Sequence, residues 1–343
     1  MRKLLLEYLV CPVCQSKFDL TSSKQNGEHT IEGQLTCQKS HHSFPIFEGI
    51  PRLLMGLDQQ LETAQAFGWE WQKFTKLHDS DDIYTELFLD WIDPIQPDFF
   101  KQKIVLDAGC GMGRFALVAS DFGAQEVLAI DISKSVLAAR MNTIHRTNIH
   151  VIQADIYHLP FRSGPQSQID FTYSIGVLHH LPDPEAGFRS LIRHIKPRGA
   201  IFGWVYGQEN NEWITRFVNP LREQITSRIP KRILYFLSFL FTLVLQPILR
   251  LLYSDKSPRP PWLKTKLPYR SYLEWLSQFG FRHNHSVVFD HLVAPKADYI
   301  SKPDFLGWFE RAHLNGIWVS SRNQNSWRGF GILPASIPKI IEK

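Results

Sequence analysis

Between residues 101 and 206, short apolar runs alternate with stretches of helical spacing, and each run ends in a polar side chain. Lys103–Leu106 before Asp107, Glu126–Ile130 before Asp131, His150–Ala154 before Asp155 and Ile169–Tyr173 before Ser174 read as buried strands. Ser133–Ile144 and Pro184–Ile195 carry apolar residues three and four apart, as helices with one buried face do. A fifth run, Ile201–Val205, follows Lys196-Pro197-Arg198-Gly199-Ala200. Strands alternating with helices predict an α/β fold with a doubly wound parallel sheet, whose ligand lies at the carboxyl ends of the strands.

After that stretch the pattern changes. Ser301–His313 has helical spacing with Pro303 near its start, and Gly316–Val319 and Trp327–Ile332 can supply two last strands. Residues 207–300 are then an insertion. Within it, Ile233–Leu245 has only Ser238 and Thr242 as polar breaks, and Gln246-Pro247 and Ile248–Leu252 follow. A membrane-spanning helix needs about 20 continuous apolar residues. With Gln246, Pro247 and Arg250 the segment falls short, so it is expected to lie on a surface or pack as a lid. Ahead of the sheet, Phe67, Trp71 and Phe74 share one helical face; Trp71 is a candidate to cover the pocket. The expected divisions are 1–54, a small β module; 55–100, a helical linker or cap; 101–206, the core; 207–300, the helical insertion; and 301–343, a helix and hairpin completing the sheet.

Composition narrows the class. The 343 residues are 44% hydrophobic and 21% charged, which excludes disorder and low-complexity chains. The net charge of +5 is unevenly spread: residues 1–205 carry −4 and residues 206–343 carry +9. Between Arg216 and Arg270 there are 11 basic and 2 acidic residues. An apolar helix with basic flanks suits peripheral contact with anionic lipid through residues 228–252. The other reading is a lid whose charges are merely solvated. Nucleic acid is the less favoured partner, because these basic residues lie among Leu and Ile rather than among exposed-looking aromatics. Glu7 interrupts the first apolar run before a signal-peptide core can form, so the expected location is the cytoplasm, with membrane association if the lipid reading holds.

Four cysteines are too few for a disulfide scaffold. Cys11-Pro12-Val13-Cys14 is a C-x2-C pair, and Cys37 follows with His41 and His42 close behind. Zinc takes four nitrogen or sulfur ligands in a tetrahedron, and two such knuckles supply them while stapling a domain too small to bury much surface. The segment resembles the zinc-ribbon (Trm112-like) modules that precede some methyltransferases: Cys11, Pro12, Cys14, Leu35, Cys37, Phe44, Pro45, Ile46, Gly49, Ile50 and Pro51 fit their pattern. A branch of these enzymes has C-x3-H at the second knuckle, which favours His41 over His42. The resemblance thus implies Cys11, Cys14, Cys37 and His41 as ligands of a structural zinc.

Glycines 109, 111 and 113 follow the first strand of the core and open a helix, so the backbone can turn tightly and approach a ligand closely. Asp131 stands where α/β folds hold ribose hydroxyls. Val105–Gly113, Ala129–Ser133, Ala154-Asp155, Gly176–Pro184 and Ile195–Ala200 resemble the successive motifs of class I S-adenosylmethionine-dependent methyltransferases, whose sheet is a seven-stranded Rossmann-like one. The resemblance implies S-adenosylmethionine held by Asp107, Gly109, Cys110, Gly111, Gly113, Asp131, Ile132, Asp155, Ile156 and Ser174. His179 and His180 stand at the pocket mouth, as shapers of the turn or as a base. Asp290-His291 and the polar run Arg322–Arg328 are candidates for acceptor binding. The expected activity is methyl transfer to a small or lipid-linked acceptor. The alternatives are a ribosomal-RNA base methyltransferase and a non-catalytic protein binding the cofactor or a partner.

Overall fold

The structure, a computed structural model, describes residues 1–55, 65, 68–69, 81–212, 214–254, 256, 267–293 and 296–336. Four strands form the N-terminal segment: β1 (Phe18–Asn26), β2 (His29–Cys37), β3 (Ser43–Phe47) and β4 (Ile50–Leu53). The core follows with β5 (Ile104–Ala108), β6 (Glu126–Asp131), β7 (Ile149–Ala154), β8 (Ile169–Ile175) and β9 (Ile195–Tyr206), all parallel, and then the antiparallel β10 (Asn315–Arg322) and β11 (Ser326–Ile332). Spatial order through the core is β7-β6-β5-β8-β9-β11-β10, so the seven expected strands form one doubly wound sheet.

Successive residues of a strand point to opposite faces, and here each face has its own core. Val105, Val127 and Ala129 pack with α1 (Asp81–Ile92), α2 (Arg114–Asp121) and α3 (Val136–Thr143) through Phe88, Phe115 and Val136. Leu106, Leu128 and Ile152 face the other way, toward Phe188 of α4 (Pro184–Arg193). Helices α2, α3 and α4 follow the carboxyl ends of β5, β6 and β8. At α4 the Asp183 carboxylate accepts from the Ala186 amide at 2.9 Å and Pro184 takes the first turn, where its missing N–H costs nothing.

The N-terminal segment is not a bead on a string. β4 pairs in parallel with β7 through Arg52↔Gln153 and Leu53↔Ala154, so the sheet runs on to eleven strands. Leu5, Leu9, Leu35 and Phe44 share a core with Leu128 and Ile152. The physical gain is twofold: a small β module borrows a core it cannot build alone, and part of the exposed edge of β7 is covered.

The insertion is helical. After a short helix α5 (Asn219–Gln224), α6 (Lys231–Ile248) runs on as a π-helical segment to Tyr253, and α7 (Arg270–Ser277) and α8 (Phe281–Val293) follow. Pro247 does not break α6, as it falls in the last turn before the ladder changes to π spacing. Leu234 of α6 packs on Phe289 and Val293 of α8, joined by Trp69. Trp71, with Phe67 and Phe74, lies outside the described residues. The chain returns through α9 (Lys302–Arg311), capped by Ser301 with Pro303 in its first turn, to the β10–β11 hairpin.

Candidate cofactor and acceptor site

A cavity of about 630 Å3 opens at the carboxyl ends of the parallel strands, where such sheets place their ligands. One wall comes from the core: Gly109–Met112, Asp131–Ser133, Ile156 and Gly176. The opposite wall comes from the insertion, with Tyr272 and Trp275 of α7 and Val287, Asp290 and His291 of α8.

The core wall is built from tight backbone. Gly109 has φ +86°, and a Cβ there would stand 2.2 Å from Cγ2 of Val177, so only glycine fits. Gly113, φ +83°, lies behind the wall, where its bare Cα admits Ala139 of α3. The Gly111 amide donates to Asp131 Oδ2 at 3.0 Å and the Ser133 amide to Oδ1 at 2.8 Å. Two amides thus aim the carboxylate while leaving lone pairs on each oxygen for a ligand's hydroxyls. A narrow glycine cradle beside an aimed carboxylate fits a nucleoside cofactor such as S-adenosylmethionine.

The structure sorts the sequence candidates. Gly109, Cys110, Gly111, Asp131, Ile132, Ile156 and His180 line the cavity. Asp107, Gly113, Asp155, Ser174 and His179 do not, and for Asp155 and Ser174 the hydrogen bonds show where their side chains are turned instead. Asp155 spends its oxygens on the Tyr157 amide (3.0 Å) and His158 Nδ1 (3.0 Å), capping a turn. Ser174 donates to the Ala108 carbonyl at 2.9 Å, tying β8 to β5 beneath the floor. Asp107 is buried there too, and burial pushes its carboxyl up to about 7, with the nearby Asp131 adding to it. His179 is enclosed against Tyr206, 4.0 Å between ring centroids, and burial drives its pKa well down. His180 pairs through Nδ1 with the Lys296 carbonyl at 2.6 Å, and burial lowers it to about 4.

On the acceptor side, Asp290 and His291 both face the cavity, as do Arg322 and Asn325 from the polar run. Burial raises Asp290 to about 6 against the pull of Arg114 and Arg222. Burial and Arg222 lower His291 to about 4, and its Nε2 pairs with the Tyr272 hydroxyl at 2.9 Å. Arg322 donates to Asp90 at 3.0 Å and lies between the rings of Trp91 and Trp275, 4.7 and 4.9 Å from their centroids. Sequence reasoning missed Tyr206, Tyr272, Trp275 and Tyr299, which make this wall aromatic. Their only signal was the high aromatic share of the chain, 13%, which names no positions.

At the other end of the molecule, Cys14 Sγ lies 3.3 Å from Cys37 Sγ and Cys11 Sγ lies 3.8 Å from His42 Nδ1. The ligand atoms of Cys11, Cys37 and His42 all fall within 4.8 Å of one another. A tetrahedral zinc with bonds of about 2.3 Å has ligand-to-ligand edges of roughly 3.8 Å, so the group fits. The expected His41 is replaced by His42. The turn closes with the His41 amide on the Cys37 carbonyl and the Cys37 amide on the His42 carbonyl; this sets His41, φ +54°, outside and turns the His42 ring to the thiols. Burial pushes the Cys37 thiol up, but the Ser40 and Lys39 amides and the other two thiols outweigh it, leaving it at about 6.

Comparison with known proteins agrees with this geometry. Residues 106–203 match the methyltransferase domain family and residues 2–49 match the Trm112p-like proteins. The chain therefore carries a methyltransferase domain preceded by a Trm112p-like segment. A ubiquinone biosynthesis O-methyltransferase of Pseudomonas fluorescens (strain SBW25) is 30% identical over 142 residues, 40% of this chain and 58% of that protein. Phosphoethanolamine N-methyltransferase 2 of Caenorhabditis elegans is 28% identical over 121 residues, 35% of this chain and 28% of that one. Among solved structures, a complex containing the Haloferax volcanii Trm112 methyltransferase activator aligns with TM-score 0.44 and 14% identity, over 79% of this chain and 98% of that one. The chain spans less than two thirds of the curated relatives it matches.

Proposed function

We propose that the chain is an S-adenosylmethionine-dependent methyltransferase acting on a small or lipid-linked acceptor, with a structural zinc in its N-terminal segment. One observation carries the reading: a single cavity has the glycine loop and Asp131 on one wall and Asp290, His291 and Tyr272 on the other. Asp131 and the Gly109–Met112 loop would hold the cofactor, which when bound supplies an electrophilic methyl group. The aromatic wall excludes water and orients the acceptor, which is most of what a displacement at a methyl carbon asks of a protein.

An acceptor hydroxyl must also lose its proton. Asp290 is the group we assign to receive it, at a carboxylate oxygen: it faces the cavity, is half-buried there, and its pKa near 6 leaves it ionised but basic at neutral pH. His291, held by Tyr272, positions the acceptor beside it. The relatives include both an O- and an N-methyltransferase, and the aromatic lining supports an acceptor with an apolar ring or chain rather than a polyanion. Cys11, Cys14, Cys37 and His42 would hold the zinc and lock the turn at Cys37–His42.

The test is to supply labelled S-adenosylmethionine to the purified chain with a cell extract split into organic-soluble, aqueous small-molecule and RNA fractions. Label in either of the first two supports the reading; label confined to RNA contradicts it.

A further inference from the structure

Helix α6 is built inside out. Its inward stripe is the polar one: Ser238, Thr242 and Gln246 are buried, Ser238 Oγ meets His285 Nε2 at 2.9 Å, and Asn284 donates to Gln246 Oε1 at 2.8 Å. Its outward face is apolar without interruption. Phe236, Leu237, Leu240, Phe241, Val244 and Ile248 are exposed, Phe236 at 59% and Val244 at 63%. In water a surface helix points its apolar stripe inward. A second stripe, Phe217, Leu221 and Ile225, is exposed just before it, each residue about half uncovered.

We propose that this face of the insertion docks in the plane of an anionic lipid bilayer. Contrary to the expectation that the segment falls short of a span, the helix continues to Tyr253, and by length and composition Lys231–Tyr253 could cross a membrane. Crossing would pull Ser238 and Gln246 from His285 and Asn284 and strip α8, which carries Asp290 and His291, of its support. Lying flat keeps every one of those bonds, and the 18 residues of α6 lay down about 27 Å of apolar face.

Charge chooses the occupant. Arg228 and Arg232 are exposed at the start of α6 and Arg250 just past its end. A second copy of the chain placed on this face, parallel or antiparallel, would bring arginine onto arginine, with only 2 acidic residues among positions 216–270 to offset 11 basic ones. Anionic headgroups meet all three arginines while the acyl region takes the apolar face. The reverse face of α6 supports α8, so docking brings the acceptor wall of the cavity to within one helix of the bilayer. That the acceptor arrives from the lipid rests on the methyltransferase reading; the docking does not.

The experiment is co-sedimentation of the full chain with phosphatidylcholine vesicles, with and without phosphatidylglycerol. We expect binding to the anionic vesicles that weakens as salt rises, about a fivefold loss for each of Arg232→Gln and Arg250→Gln. Phe236→Gln, Leu240→Gln and Val244→Gln combined should lose binding more than tenfold. The same triple variant should keep the wild-type melting temperature and its affinity for S-adenosylhomocysteine, since those side chains are exposed, whereas Leu234→Gln should lower the melting temperature. Absence of binding, equal binding to neutral vesicles, or a triple variant as destabilised as Leu234→Gln would overturn the proposal. So would a stable dimer that the triple variant dissociates. Vesicle binding is read without acceptor, so its failure and a failure of methyl transfer are separate results.

Discussion

The Gly111 amide donates to the Asp131 carboxylate at 3.0 Å, joining the glycine loop after β5 to the end of β6. The cofactor wall is therefore one unit, and the loop cannot move without releasing the group that would hold the ribose. Asp131→Ala should weaken S-adenosylhomocysteine binding by about 1–3 kcal/mol, roughly 5- to 150-fold, read by calorimetry. Asp131→Asn keeps one acceptor oxygen for an amide and should lose less.

At Gly109 two penalties combine, a clash with Val177 and a left-handed backbone. Gly109→Ala should lower the melting temperature and cofactor affinity together. Adding Val177→Ala relieves only the clash, so about 1–2 kcal/mol of backbone strain should persist in denaturant titration. Complete recovery in the double variant would mean that the loop conformation has been misjudged.

Asp107 makes stability depend on pH. Its carboxyl sits near 7 in the fold against an ordinary 3.8, so the folded state binds the proton more tightly. Stability is then greatest below about pH 4 as far as this group is concerned, and falls as pH rises toward 7. Asp107→Asn should raise the melting temperature at pH 8, with an upper bound of a few kcal/mol, and leave it unchanged near pH 4.

The zinc knuckle separates two neighbouring histidines. Metal analysis of chelator-free protein should find about one zinc per chain in the wild type and in His41→Ala, and a loss in His42→Ala. Retention in His42→Ala with loss in His41→Ala would restore the ligand set expected from sequence.

Much of this molecule was legible beforehand. Residues such as Val127–Ile130 carry two cores at once, so the strands of the parallel sheet read as unbroken apolar runs, and their polar ends marked the site. Backbone use was not legible. Asp155 and Ser174 occupy strand ends just as Asp131 does, yet both are buried away from the cavity, turned to the Tyr157 amide and the Ala108 carbonyl. His41 and His42 differ only by the hand of one turn residue. The junction of β4 with β7 rests on two residue pairs that leave no periodic mark. The acceptor wall comes from α7 and α8, where Tyr272, Trp275, Asp290 and His291 face a cavity although their polar atoms read in the sequence like those of a solvated helix face.

The central claim is that this cavity holds a methyl-donating cofactor against an acceptor wall containing Asp290. Calorimetric titration of S-adenosylhomocysteine into the full chain tests it most directly, run beside Asp131→Ala and Asp290→Asn. The account predicts one site per chain, weakened by Asp131→Ala and little changed by Asp290→Asn, whose place is on the acceptor side. Absence of binding to the folded wild-type chain, or binding indifferent to Asp131, would contradict it.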